Sequence, residues 1–303
     1  MSEKRGLAIL GGDSRQIAMA RYLSFLGYPV FVWGLGACQK QIGDAQVCDT
    51  WELAVRCAEV VILPLPASAD GVRIHCPLHD QDVLLRVTTL LGGIGERLLL
   101  GGRFTEPIRS IADQLGVRWI DYFDSEVLQL KNAVPTAEGA IAIAMRELPV
   151  TIDGVEAAVI GYGRIGELLG EKLRALGARV TVLARRAEQL TRAETRHHNV
   201  ERLVSDHGSF SPSSLAGYRV VFNTVPKRII TKEVLQTARR DCVLIDLASA
   251  PGGIDLSAAQ QMGLCAVWGT ALPGKVAPES AGEILAQSIN IILEETAGQL
   301  PLQ

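Results

Sequence analysis

Residues Val155-Glu156-Ala157-Ala158-Val159-Ile160 run into Gly161-Tyr162-Gly163-Arg164-Ile165-Gly166 and then into a helix-period segment ending near Leu176. Gly177 stops that helix, and a second β-rich run covers Arg179 to Leu183. Strand, glycine turn, helix and strand within about 30 residues is the setting that a dinucleotide fingerprint requires. Each glycine has its own task. Gly161 makes the tight turn, Gly163 lets backbone approach a pyrophosphate, and Gly166 lets the helix lie close to the strand. The helix N-terminus then offers N–H groups and a positive dipole end to the phosphates. The stretch predicts a nicotinamide dinucleotide site formed by Gly161, Tyr162, Gly163, Arg164, Ile165 and Gly166.

The end of the second strand addresses which dinucleotide. An enzyme using NAD usually carries Asp or Glu there, bonded to the adenosine ribose hydroxyl. Here the place falls near Ala184 and is followed by Arg185 and Arg186. No carboxylate repels a 2′-phosphate, and two guanidinium groups are available to clamp one. The expectation is NADP, with NAD a possible substitute.

Working outward, 303 residues suit two domains rather than one. Hydrophobic residues make up 48% and charged ones 21%, enough apolar material for large cores. The net charge of −3 and the lack of a basic run give no electrostatic case for nucleic acid. No run approaches 18 apolar residues, and the N-terminal apolar stretch is too short for a signal peptide, so no membrane association is expected. The six cysteines form no CxxC pair and read as reduced thiols of a cytoplasmic protein. His75-Cys76 with His79 resembles a metal pair without a third ligand, so no metal is expected.

The chain opens with a second strand–turn–helix. Leu7–Leu10 is a strand, Gly11-Gly12-Asp13-Ser14-Arg15 a turn, and Ser14 caps a helix to Leu26. Strands follow at Val30–Trp33, Val60–Leu63, Leu98–Leu100 and Val117–Ile120. Helices fall after a cap at Asp49 or Thr50, over Gln81–Leu91 and over Pro107–Leu115. Residues 67 to 79 read as a loop. Alternation of this kind predicts a parallel sheet with helices on both faces. Thr136 caps a hinge helix that ends at Pro149 and lines an interdomain cleft. Beyond the fingerprint, Thr191–Asp206 reads as polar and partly helical. Tyr218–Asn223, Cys242–Leu247 and Cys265–Trp268 are strands, Thr231–Ala238 is a helix, Gly269–Pro278 a loop, and Glu279–Glu295 a final helix. The expected fold is α/β: two Rossmann-like domains, each a mainly parallel sheet flanked by helices, joined by a hinge helix. The expected boundaries are 1–130, a hinge at 131–150, a cofactor domain at 151–278 and a C-terminal helix at 279–303.

The order of signals resembles the family of the A subunit of dipicolinate synthase. The matching stretches are Leu10-Gly11-Gly12-Asp13-Ser14-Arg15, Asn132 to Ile141, Val159 to Gly166, Asp246 to Gly253, and Ala271-Leu272-Pro273-Gly274-Lys275-Val276-Ala277-Pro278. The resemblance implies oxidation of dihydrodipicolinate, a product of the lysine pathway, to dipicolinate. It also implies a partner, the flavoprotein-like B subunit of the same synthase, and a place in the mother cell of a spore-forming bacterium. A homo-oligomer is compatible with the same composition.

Ligands of open α/β sheets bind outside the carboxyl ends of the strands. Gly101-Gly102-Arg103, Thr224-Val225-Pro226 and Ala248-Ser249 stand at such ends, the last two beside the expected cofactor. A dicarboxylate needs cationic or N–H partners, and Arg15, Arg103 and Lys275 are the candidates, with Ser14, Asn132 and Thr136 nearby. Aromatisation also releases a proton, so a base is expected, with Asp13 and Glu138 as candidates. Glu138 has a second explanation in the hinge helix's dipole, and Asp13 in its turn. Two other readings fit the same fold: a dehydrogenase of the alanine or 2-hydroxy-acid kind, and a non-catalytic NADP-binding subunit. The hydroxy-acid reading wants a histidine at a strand end, and His75, His79, His197, His198 and His207 show none there.

Overall fold

In a computed structural model of the chain, residues 4–36, 41–79, 85–206 and 209–297 are described. They divide into two compact units, one of Met1–Lys131 with Ala277–Gln303, the other of Asn132–Val276.

The first unit holds β1 (Leu7–Leu10), α1 (Ser14–Phe25), β2 (Val30–Trp33), β3 (Gln46–Val47), α2 (Trp51–Arg56), β4 (Val60–Ile62), α3 (Val87–Gly93), β5 (Leu98–Gly101), α4 (Glu106–Gln114) and β6 (Trp119–Asp121). Its sheet runs β3-β2-β1-β4-β5-β6, all parallel. β1, β4 and β5 are buried on both faces, which is why they read as unbroken apolar runs rather than alternating ones. One face packs Leu7, Ile9 and Ile62 with Met19 and Leu23 of α1, and with Leu285 and Ile289 of the last helix. The other packs Ala8, Leu10 and Val61 against Val55, Leu90 and Ile108 of α2, α3 and α4.

From this unit the chain enters α5 (Glu126–Glu147) and passes the unit boundary inside that helix. The second unit continues with β7 (Glu156–Ile160), α6 (Arg164–Ala175), β8 (Arg179–Ala184), α7 (Ala187–Thr195), β9 (Asn199–Arg202), a β10 (Val204–Asp206) and β11 (Ser209–Ser211) hairpin, β12 (Val220–Asn223), α8 (Lys232–Leu235), β13 (Val243–Asp246), α9 (Leu256–Gln261), β14 (Cys265–Trp268) and α10 (Leu272–Val276). α11 (Pro278–Glu295) returns to the first unit. There Gly282 lies so close to α1 that a Cβ would meet Ala18 Cβ at 2.6 Å. The second sheet runs β14-β13-β12-β7-β8-β9, the same strand order as the first when read from its own first strand. In each sheet the order reverses at one point, between β1 and β4 and between β7 and β12, and ligand crevices form there.

Local readings differ from the structure in six places. Asp13, not Ser14, caps α1: its carboxylate accepts the Arg15 N–H, and Gln16 reaches back to the Asp13 N–H. The helix expected over Gln81–Leu91 starts only at Val87, Arg86 being held in a bridge to Arg73; residues 81–84 lie outside the described ones. Thr136 caps nothing, because α5 starts ten residues earlier at Glu126 and runs through Pro135. The segment after Thr191 carries the edge strand β9, and the expected loop over Gly269–Pro278 contains α10. The final helix packs with the first unit instead of standing apart. No described helix is long and apolar enough to cross a membrane.

Candidate cofactor and substrate sites

In the second unit the glycine turn sits at the switch point. Gly161 adopts φ +88°, and a Cβ there would collide with Thr224 Oγ1 at the end of β12. A Cβ on Gly166 would collide with the carbonyl of Gly161, so α6 approaches β7 as closely as only glycine permits. Gly163, the N-cap of α6, has nothing within 4 Å of its absent side chain, leaving room over the first helical amides. Those amides lack intrahelical acceptors and carry the positive end of the helix dipole. Gly161, Tyr162, Gly163, Arg164, Ile165 and Gly166 therefore meet a pyrophosphate's requirements for space, donors and charge. Tyr162 faces inward and is fully buried.

At the end of β8, Ala184 is buried while Arg185 and Arg186 are exposed. β9 adds a third cation there, because Arg202 stands opposite Ala184 in the register. Sequence reading missed Arg202, since an exposed edge strand carries no apolar alternation.

A buried network fixes the remaining walls. Asp246, fully buried at the end of β13, accepts from Asn223 Nδ2 (2.8 Å) and Ala248 N (3.1 Å) through one oxygen. Its other oxygen accepts from Gly253 N (2.7 Å) and Ile254 N (3.0 Å). Asn223 in turn bonds both ends of Val225, and Thr224 Oγ1 donates to Ile160 O. Thr224-Val225-Pro226 and Ala248-Ser249 are thus tied to one carboxylate. Gly252 (φ +83°) lies close against Asp246, and a Cβ on Gly253 would collide with Asn223 Nδ2.

In the first unit, Asp13, Ser14, Arg15 and Arg103 stand at the carboxyl ends of β1 and β5, but Asp13 and Arg15 are not placed for the expected roles. Arg15 is 4% exposed; its Nε and Nη2 bond Asp13, and Nη2 also donates to Leu65 O. It is a buried structural cation rather than an open clamp. Burial pushes the Asp13 carboxyl up, but the hydrogen bond and charge of Arg15 outweigh this and hold it below the usual carboxylate range. A carboxylate so held is a poor base. Glu138, the other expected base, is exposed and pairs with Lys172 at 2.9 Å. Lys172 stands eight residues along α6 from Arg164, about 12 Å from the phosphate end of the helix. Thr136 donates its hydroxyl to Asn132 O within α5, and Lys275 is exposed on α10, whose Leu272 and Val276 lie against Gly139.

A histidine enters where sequence reading expected none. Residues 74–76 fold over the first glycine turn: Gly12 N donates to His75 O (2.7 Å), and a Cβ on Gly11 would meet that oxygen at 2.9 Å. The half-buried His75 ring feels both Asp13 and Arg15. Burial lowers its pKa, Asp13 raises it and Arg15 lowers it, with a net shift downward. Near neutral pH it is an uncharged imidazole able to take a proton. Its place depends on a contact 63 residues distant in sequence, so no local pattern announced it.

Arg103 is exposed and adopts φ +57°, a left-handed conformation that costs a non-glycine residue about 1–2 kcal/mol. Asp121, at the end of β6, accepts the N–H groups of Arg103 (2.9 Å) and Phe104 (2.8 Å).

Comparison with known proteins agrees with both halves. Residues 6–123 match the family described as the N-terminal domain of the dipicolinate synthase A subunit, and residues 148–257 match one described as Putative NAD(P)-binding. The dipicolinate synthase A subunit of Bacillus subtilis (strain 168) is 29% identical over 289 residues, 95% of this chain and 96% of that protein. The crystal structure of the A chain of dipicolinate synthase from Bacillus subtilis superposes with a TM-score of 0.83 at 27% identity, covering 99% of both chains. The A subunit from Bacillus halodurans gives 0.83 at 26% identity, over 95% of this chain and 97% of that one. The chain is thus related over nearly its whole length to the A subunit of dipicolinate synthase, and its second unit is a nicotinamide-dinucleotide-binding domain of dehydrogenase type.

Proposed function

We propose that this relative of the A subunit of dipicolinate synthase oxidises dihydrodipicolinate to dipicolinate with NADP, during spore formation and together with a flavoprotein-like B subunit. The observation that carries the reading is one chain uniting a complete dinucleotide turn with a first unit matching this family. The substrate gives up a hydride and a proton as its ring becomes aromatic; NADP+ becomes NADPH. A bound nicotinamide supplies the hydride acceptor. The protein's own residues do the rest: in the second unit the α6 amides and Gly163 hold pyrophosphate, and in the first Arg103 takes a substrate carboxylate and His75 accepts the proton. Asp13 and Arg15 shape the wall beside His75.

Two results test this reading. The pair formed with the B subunit is expected to turn over dihydrodipicolinate, this chain alone to do so weakly, and His75→Gln to lose turnover while keeping NADP affinity. Full activity of the single chain would reject the partnership. Undiminished turnover in His75→Gln would reject the base.

Cofactor preference rests on Arg185, Arg186 and Arg202 around Ala184. Each charge-assisted contact to a 2′-phosphate adds about 1.5–3 kcal/mol, so NADP is expected to bind at least tenfold more tightly than NAD. The gap narrows in Arg185→Ala, Arg186→Ala and Arg202→Ala. Equal dissociation constants for the two cofactors in the unaltered protein would overturn the assignment.

A further inference from the structure

We propose that residues 101–104 form a preset carboxylate clamp, in which Arg103 is the contacting group and Asp121 is the residue that positions it. The inference rests on the functional reading only for the identity of the ligand.

Position 103 is left-handed at φ +57°, a conformation glycine adopts freely and arginine does not. Glycine occupies the two preceding positions, yet arginine stands where the strain falls. Strain of this kind persists only where the surroundings over-determine it, and it gathers at ligand clamps and active sites.

The surroundings here do over-determine it. The Asp121 side chain is 1% exposed and stands opposite Gly101 in the β5–β6 register. It accepts the N–H groups of Arg103, Phe104 and Phe123, at 2.9, 2.8 and 3.0 Å. Arg109 Nη2 also reaches it at 3.1 Å, placing a balancing positive charge on a carboxylate that would otherwise be buried alone. Beneath the turn a Cβ on Gly101 would collide with the Phe104 ring, and one on Gly102 would meet Leu65 Cδ1 at 2.6 Å and Tyr122 at 2.8 Å. The turn has no room to relax on that side. The Arg103 guanidinium carbon lies 5.8 Å from the centroid of the Phe123 ring. A guanidinium against an aromatic face is held as a plane, and its edge geometry matches a carboxylate's two oxygens. The contrast with Arg15 is instructive. Both stand at the carboxyl edge of one sheet, but Arg15 is buried against Asp13 and Leu65 O, whereas Arg103 is exposed.

The test measures affinity and stability separately on the full-length protein. Calorimetric titrations use dipicolinate, pyruvate and inorganic phosphate as probes, against Arg103→Gly, Asp121→Asn and the double variant. Glycine suits the left-handed backbone, so Arg103→Gly is expected to melt at or above the parent temperature, keep its NADP affinity and bind dipicolinate at least about tenfold more weakly. Asp121→Asn is expected to weaken dipicolinate binding with NADP affinity unchanged. Because Asp121 acts through Arg103, it should weaken binding no further in the Arg103→Gly background. A purely structural Asp121 would give additive losses, and that result would overturn its positioning role. Unchanged carboxylate affinity in Arg103→Gly, or no binding of either carboxylate by the parent protein, would overturn the clamp. Arg103-dependent binding of phosphate alone would overturn the carboxylate assignment. Arg103-dependent binding of pyruvate without dipicolinate would leave the clamp standing and remove dipicolinate as the substrate.

Discussion

Asp246→Asn is expected to destabilise the second unit by about 2–5 kcal/mol and to weaken NADP binding at least tenfold. The substitution changes one oxygen to an NH2 group and almost nothing in volume. Both Asp246 oxygens accept buried hydrogen bonds, however, two each, all from N–H donors. Whichever way the amide turns, its NH2 faces two donors and leaves them without an acceptor. Each buried N–H so stranded costs about 1–3 kcal/mol. The released segments are Thr224–Pro226 and Ala248–Gly253, which border the dinucleotide turn at the β7–β12 switch point, so stability and cofactor affinity should fall together. Thermal melting of the variant with and without NADP is the measurement, and a loss of roughly 5–15 °C is expected. A variant that melts with its parent and binds NADP equally well would show that the network does not hold the site.

This network also gives a physical reason for the segment Asp246-Leu247-Ala248-Ser249-Ala250-Pro251-Gly252-Gly253. The aspartate is the acceptor at its start, and the two glycines let the chain fold back onto it without a clash. Its role is to build the wall, and the chemistry is done elsewhere.

What was legible in the sequence was local. The Gly161–Gly166 turn, its helix and its two strands follow from patterns closed within about 30 residues, as do the buried strands Leu7–Leu10 and Val243–Asp246, whose apolar runs need no partner to be recognised. What was hidden depended on distance or on a broken local rule. Pro135 marks a helix boundary by its missing N–H, yet α5 passes through it. The next residue, Thr136, bonds Asn132 O with its hydroxyl, one turn back. Asp13 and Arg15 were legible as a polar turn but not as a closed pair, because the burial that joins them comes from Leu65, fifty residues away. His75 reached its site through a contact of similar range, and Asp121 through contacts with Arg103 and Phe104 across the β5–β6 pairing.

Asp13→Ala is expected to be among the most damaging single changes in the first unit, at about 2–5 kcal/mol. Two losses coincide. The cap of α1 disappears, which alone costs about 1 kcal/mol. The larger loss is that Arg15, with a side chain only 5% exposed, keeps its charge and its Leu65 O contact but loses its counter-ion. Asp13→Asn separates the two, since asparagine caps a helix as well as aspartate does. It should therefore reproduce most of the loss. Replacing both partners, as Asp13→Asn with Arg15→Met, removes the stranded charge and should recover part of it. The pair also sets a pH dependence. Arg15 depresses the Asp13 carboxyl in the folded state, so its stabilisation is complete above the unfolded carboxylate value of about 3.9 and is lost as pH falls through the lower folded value. Between pH 5 and 8 this group should add no pH dependence to the melting temperature, its contribution being complete there, and as pH falls below about 4 the gap between parent and Asp13→Asn should close. Melting curves of parent, single and double variants from pH 3 to 8 measure all of this. If Asp13→Asn melted with the parent at pH 7, Arg15 would need no counter-ion, and the buried pair would not be what holds the first glycine turn in place.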